Sequence, residues 1–254
     1  MISTKLRNFL LFCVFLFSTN LMKAQTPVAS APDERNLRVG FKIVPGINWV
    51  KVKTTNVQRD GSNIGFGFAF MVDKKIKDNY YISTEVNVTT MTNAIKLRDS
   101  AVHNINDASG RKYSDISYKY KVQYIEIPVS FKFRTKEIDG LRFFGQFGLS
   151  AGFLISNNVT TTAKELITGK EFPSIEKYNP NQNDNNNLDF STHKDNFSII
   201  RAAMIIGAGI EYRLSGNTSL YTGLRFNNGF TDILRETRAT AINNVLGLEI
   251  GMFF

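Results

Sequence analysis

A chain of 254 residues, 43% of them hydrophobic, is long and apolar enough to build a sizeable barrel or sandwich, and its single cysteine, Cys13, excludes a disulfide scaffold. The formal net charge of +9 falls to about +6 once Lys5, Arg7 and Lys23 are discounted with the N-terminal segment described next. That excess suits anionic lipid head groups or an anionic surface polymer, and it is too modest to point to nucleic acid.

Residues 1–24 read as a cleavable signal peptide. Lys5 and Arg7 precede an apolar run over 9–17, which is shorter than the roughly 20 residues of a membrane-spanning helix, and a small residue, Ala24, closes the segment. Cys13 lies inside it, so the remaining chain has no thiol for metal binding or catalysis. Residues 25–37 form a periplasmic N-terminal linker. From 38 to 254 the helical period is absent and period-two alternation recurs in eight segments: 38–52, 63–72, 80–98, 118–133, 141–156, 197–214, 219–230 and 242–254. Most reach the 9 to 11 residues that a tilted strand needs to cross a bilayer.

The links between these strands alternate in length. Residues 73–79, 135–140 and 215–218 are short, whereas 53–62, 99–117, 157–196 and 231–241 are long. Tight turns at one end and long loops at the other are the rhythm of an up-and-down barrel in a membrane, with both chain ends on the periplasmic side. The expected fold is therefore all-β, an eight-stranded antiparallel up-and-down transmembrane β-barrel with a long loop near 157–196.

Face composition orients the strands. In 141–155, Leu141, Phe143, Phe147, Leu149, Phe153 and Ile155 oppose Arg142, Gln146, Gly148, Ser150 and Gly152, and in the last strand Leu246, Leu248, Ile250 and Met252 oppose Gly247, Glu249 and Gly251. One face is large and apolar, the other small or charged. A soluble barrel puts the large apolar face inside, whereas a narrow membrane barrel turns it to lipid and fills its interior with small and paired polar groups. The glycines and balanced charges favour lipid outside.

The inward set is then Lys42, Glu85, Glu126, Lys132, Arg142, Arg201, Glu211, Arg213, Arg225 and Glu249, a structural network of lumenal charges in which each member needs a partner to offset its desolvation. The segment VQYIEIPVSFKF at 122–133 raises a further expectation. Ile125, Ile127, Val129, Phe131 and Phe133 face out and Glu126, Pro128 and Lys132 face in, but upstream Tyr118, Tyr120, Val122 and Tyr124 would face out and Lys119, Lys121 and Gln123 in. That reversal calls for one extra residue near Tyr124 and a ladder break between Tyr124 and Pro128, where a bulge tolerates the missing proline donor. Tyr80 and Tyr81 at the turn end, with Trp49, Tyr118 and Tyr120 at the loop end, read as interface girdles.

Sequence signals for chemistry are few. His103 and His193 are the two histidines, both in long links, and Asp184, Asp189 and Asp195 lack the spacing of a calcium loop. No nucleophile motif, phosphate-binding loop, zinc spacing or other cofactor signature is present, so the expectation is a non-enzymatic protein without catalytic, cofactor-binding or metal residues. The link rich in Lys96, Arg98, Arg111, Lys112, Lys119 and Lys121 could touch lipopolysaccharide.

YIEIPVSFKF at 124–133, FFGQFGLSAGFLI at 143–155, GAGIEYRL at 207–214 and YTGLRFNNGFTDI at 221–233 resemble the PorT-like outer-membrane β-barrel proteins of Bacteroidetes, within the porin-like barrel superfamily, and the resemblance spans about residues 38–254. It implies a barrel in the cell outer membrane, in contact with outer-membrane lipids and lipopolysaccharide. The terminal Phe254 looks like the aromatic end signal read by the barrel-assembly machinery. The founding member is needed for type IX protein secretion, which implies secretion-system proteins as partners. The expected role is structural or accessory in the envelope. A small pore or ligand-binding barrel and an exported soluble lipocalin-like binder remain as alternatives.

Overall fold

Alternation of period two along eight long segments leaves the chain one way to satisfy its backbone, by pairing each strand with the next and the last with the first. The computed structural model describes residues 35–53, 57–97, 113–165, 171–176, 197–233 and 241–254. Its strands are β1 (Leu37–Val52), β2 (Val57–Arg59), β3 (Asn63–Lys77), β4 (Tyr80–Leu97), β5 (Tyr113–Arg134), β6 (Leu141–Glu165), β7 (Glu171–Glu176), β8 (Ile200–Ser215), β9 (Thr218–Asp232) and β10 (Ala241–Phe253). Eight of them close an antiparallel barrel in the order β1-β3-β4-β5-β6-β8-β9-β10, with β10 paired back to β1. The short β2 and β7 lie in the long links and pair with β4 and β6 respectively. They are strands where loops were expected.

The short connections cluster at one end. Asp78 and Asn79 make a two-residue turn, so that Asp73 to Lys77 belong to β3 and not to a link. Gly216 in the β8–β9 turn and Gly140 before β6 have φ of 52° and 79°, a region open to glycine without penalty. The first strand starts and the last strand ends at this same turn end, where the Phe254 amide donates to the Val39 carbonyl (2.8 Å).

Burial is inverted relative to a water-soluble barrel. Large apolar side chains such as Phe68, Phe143, Phe147, Leu149 and Leu224 are half exposed on the outer wall, while Lys42, Glu126, Lys132 and Glu249 are buried inside. A wall of exposed Phe, Leu and Ile is stable only against hydrocarbon.

Strand β5 corrects the expected parity reversal. Tyr118, Tyr120, Val122, Tyr124, Glu126, Pro128, Ser130, Lys132 and Arg134 are all buried, an unbroken alternation, and Lys119 and Lys121 are exposed. What changes along β5 is the medium outside it. Opposite the turn-end half the wall meets lipid, so outward residues are apolar and inward ones polar. Beyond Tyr124 the outward Lys121 and Lys119 meet water, and the inward tyrosines and Val122 pack together.

The extra residue exists, but on β6. Tyr124 pairs with Leu154 and Gln123 with Ser156, which leaves Ile155 bulged, so that Leu154 and Val159, five residues apart, both face inward. The β4–β5 ladder also breaks: Thr84 pairs with Val129 and Asn87 with Glu126, and the two intervening pairs are missing where Pro128 has no amide hydrogen. The Thr84 hydroxyl donates to the Pro128 carbonyl there (3.1 Å). The girdle reading also needs correction. Tyr80 is outward and packs at a tilt against Phe131, and Trp49 stacks on Phe226, but Tyr81, Tyr118 and Tyr120 are interior residues.

Candidate functional site

The interior is the part of the barrel richest in polar chemistry, and glycine makes room for it. A Cβ on Gly152 would stand 3.0 Å from Glu126 Cγ, and one on Gly207 would stand 2.8 Å from Gln146 Nε2. On β8 and β9, Gly209 and Gly223 let the Phe144 ring lie flat, since their Cβ atoms would come within 2.6 and 2.8 Å of it. The small face read from the sequence is thus the space into which neighbouring strands project long side chains.

From the turn end upward, the first group is Glu137 of the β5–β6 link, bridging Arg142 and Arg213 at 2.6 Å each. These two arginines hold inward positions at the barrel mouth and are only partly buried. Above them Glu211 gathers Lys132 (2.6 Å), Arg134 (2.8 Å) and Arg38 (3.0 Å), while Asp73 accepts from Lys132 (2.9 Å) and Ser83 (2.6 Å). Arg134 also donates to the Tyr81 hydroxyl. An aromatic layer separates this group from the one above it. Lys132 Nζ sits 4.7, 4.8 and 4.7 Å from the ring centres of Phe144, Tyr221 and Phe253, and the Arg38 guanidinium 4.2 Å from Phe253.

The next group is a four-membered ring of charge. Lys42 contacts Glu85 (2.6 Å) and Glu249 (2.5 Å), and Arg225 contacts the same two carboxylates at 2.5 and 2.7 Å. The Tyr221 hydroxyl donates to Glu249 (2.5 Å), as does Gln146 Nε2 (3.2 Å). Farther up, Arg201 pairs with Glu126 at 2.5 Å. A polar layer of Asn48, Asn87, Thr89 and Asn227 encloses a cavity of about 20 Å³, room for a single water molecule. Above it Val50, Met91, Tyr120, Val122, Tyr124, Leu154, Phe197 and Val245 close the loop end, with the Tyr124 hydroxyl donating to the Ser198 carbonyl (3.0 Å).

Eight of the ten charges named from the sequence, Lys42, Glu85, Glu126, Lys132, Arg201, Glu211, Arg225 and Glu249, are therefore buried in these interior groups, and Arg142 and Arg213 cap the mouth. Sequence reading missed Arg38, Asp73 and Arg134. Asp73 and Arg134 lie one residue past the expected strand ends, and carrying the alternation of Ala69 and Met71, or of Ser130 and Lys132, one step further would have found them. Fully buried cations (Arg38, Lys42, Lys132, Arg134, Arg201, Arg225) nearly balance carboxylates (Asp73, Glu85, Glu126, Glu211, Glu249). In a low-dielectric interior such charges persist only when paired. No group of three or more metal-ligating side chains occurs among the described residues. His103, His193, Asp184, Asp189 and Asp195 lie outside them.

Set against known proteins, the sequence matches the family model described as "Outer membrane protein beta-barrel domain" over residues 23–235. No curated protein matches it. Similar solved structures include Neisserial surface protein A, at 12% identity and a TM-score of 0.43 over 86% of this chain and 96% of that one. Others are Ail, the attachment invasion locus protein of Yersinia pestis (10%, TM-score 0.34, 87% and 100%), and OprG from Pseudomonas aeruginosa (10%, TM-score 0.36, 85% and 92%).

Proposed function

This chain belongs to the outer-membrane protein β-barrel domain family and resides in the outer membrane, and from that premise we propose that it serves a structural or accessory role in the envelope, acting through its lipid-facing wall and loop-end rim and not through its lumen. The observation that carries this reading is the filled interior. Charge clusters and an aromatic layer occupy the turn-end half, and an apolar cap occupies the loop end. An eight-stranded barrel has room for little more than its own side chains.

In this reading residues 1–24 are removed as a signal peptide, 25–37 are a periplasmic linker, the short turns face the periplasm and the barrel-assembly machinery reads the strand ending at Phe254. The lumenal network, Lys42, Glu85, Glu126, Lys132, Arg142, Arg201, Glu211, Arg213, Arg225 and Glu249, is structural and not catalytic. The resemblance of 124–133 and 207–214 to PorT-like barrels supports accessory service to protein secretion as the finer role.

Planar-bilayer recording of the purified protein tests the closed lumen. Background conductance is the expected result, and steady large unitary currents would establish the pore reading instead. Co-purification from native envelope tests the finer role: stable retention of secretion-system proteins supports it, and recovery as a lone monomer removes it.

A further inference from the structure

The outward face of β5 changes character over a few residues. Phe133, Phe131, Val129, Ile127 and Ile125 form an apolar column of about 27 Å along the strand, or about 20 Å of membrane depth at the usual tilt, close to the apolar band of about 25 Å on such barrels. Gln123 follows, and then Lys121 and Lys119, both exposed, on the same face and about 7 Å apart. On β4, Thr92 is the cross-strand neighbour of Lys121; on β6, Asn158 and Thr160 are the neighbours of Lys121 and Lys119.

Lys119 and Lys121 have no ion-pair partner among the described residues. At the upper edge of the patch Asp60 accepts from the hydroxyl of Ser117 (2.8 Å), the residue opposite Lys96. The rim on the far side of the barrel differs in kind. Ile199, Ile200 and Phe230 are about half exposed there, Asp232 is exposed, and β8, β9 and β10 present no outward lysine or arginine among the described residues at this height.

We propose that the outward face of β4–β5–β6 around Lys119 and Lys121 is a binding site for the phosphorylated headgroup of an outer-leaflet glycolipid. The proposal rests on the outer-membrane reading above and adds a ligand to it. Three features select that occupant. The cations stand directly above an apolar wall, so the ligand carries acyl chains below its anion and is an amphiphile. Two lysines one strand repeat apart, about 7 Å along the backbone, have flexible side chains long enough to bring both ammonium groups to one phosphate. Beside them on β6 stand Asn158 and Thr160, level with Lys121 and Lys119, and one strand step higher Thr162, amide and hydroxyl groups on the outer face that suit a sugar headgroup and that a simple phospholipid would leave unused.

The test is native mass spectrometry of the full barrel, purified in neutral detergent and titrated separately with a phosphorylated disaccharide glycolipid, its dephosphorylated form and phosphatidylglycerol. The wild type is expected to retain the phosphorylated glycolipid in preference to the other two. K119Q/K121Q should weaken retention about 30-fold, from roughly 1 kcal/mol per lysine near an anionic surface. K51Q/K53Q, exposed lysines two strands away, should leave it unchanged. Equal retention by K119Q/K121Q overturns the site, and equal retention of phosphatidylglycerol or of the dephosphorylated glycolipid overturns the occupant. Heat-modifiable gel mobility reports folding of each variant, so a protein that fails to form a membrane barrel counts against the outer-membrane reading and is distinguished from a folded barrel that ignores the lipid.

Discussion

Replacing Glu211 with Gln probes the densest of the interior charge clusters. Its carboxylate is buried and faces Lys132, Arg134 and Arg38 at 2.6, 2.8 and 3.0 Å. Glutamine keeps the shape and removes the charge. Asp73 would then remain against three cations, at 2.9 Å from Lys132 and 4.0 Å from Arg38, and Arg134 would keep only the neutral Tyr81 hydroxyl. Stripping one partner from a buried ion pair costs about 3–5 kcal/mol, a large part of the roughly 5–15 kcal/mol that stabilises a typical domain. The sole tryptophan, Trp49, stacks on Phe226 on the outer wall and reports when the barrel leaves lipid. Urea titration in phospholipid vesicles, followed by Trp49 fluorescence, should show E211Q losing stability in that range. Adding K132M should recover part of the loss, because it removes one of the three cations then sharing Asp73 and returns the cluster to its original excess of one positive charge. A loss below about 1 kcal/mol for E211Q, or strict additivity in the double variant, would refute the view that these charges hold the barrel as a coupled unit.

Two further predictions address the wall and the bulge. Leu149 is 62% exposed at mid-height on β6, so L149R should cost about 2–4 kcal/mol in the same titration, whereas T160R, above the apolar band, should cost little; equal costs would contradict a lipid-facing wall. Deleting Ile155 removes the bulged residue, so Ser156 then follows Leu154 in regular alternation; Leu154 and Val159 should both stay inward and the loop-end cap should persist. Limited proteolysis should then leave β6 protected as in the wild type, and new cutting beyond Ser156 would show that Ile155 is not the extra residue.

Much of this protein is legible from sequence because a barrel strand repeats every two residues. Wherever one medium lies outside, the apolar face identifies itself, and the glycine-rich face of β6, β8, β9 and β10 reads correctly as the interior. The same signal misleads at the loop end of β5. Seen alone, the change from outward Ile125 to outward Lys121 is indistinguishable from a one-residue slip, because alternation records only the contrast between faces and not which face is inside. The three missed charges share a related cause: strand ends fade in the sequence where the hydrophobic contrast fades, and Asp73 and Arg134 sit there.

The sequence by itself determined an all-β chain of eight spanning strands, short turns at one end, apolar residues toward lipid and a charge-balanced interior, because those properties are local and periodic. Only the tertiary structure decided which charges meet. Arg38 and Glu211 are 173 residues apart, and Lys42 and Glu249 are 207 apart; their contact depends on closure of β10 onto β1 and on the stagger of every strand between them. It also decided that the extra residue is Ile155 on β6 and that Tyr118, Tyr120 and Tyr124 face inward. The solvent around each strand segment is set by where the bilayer ends, and no residue encodes that alone.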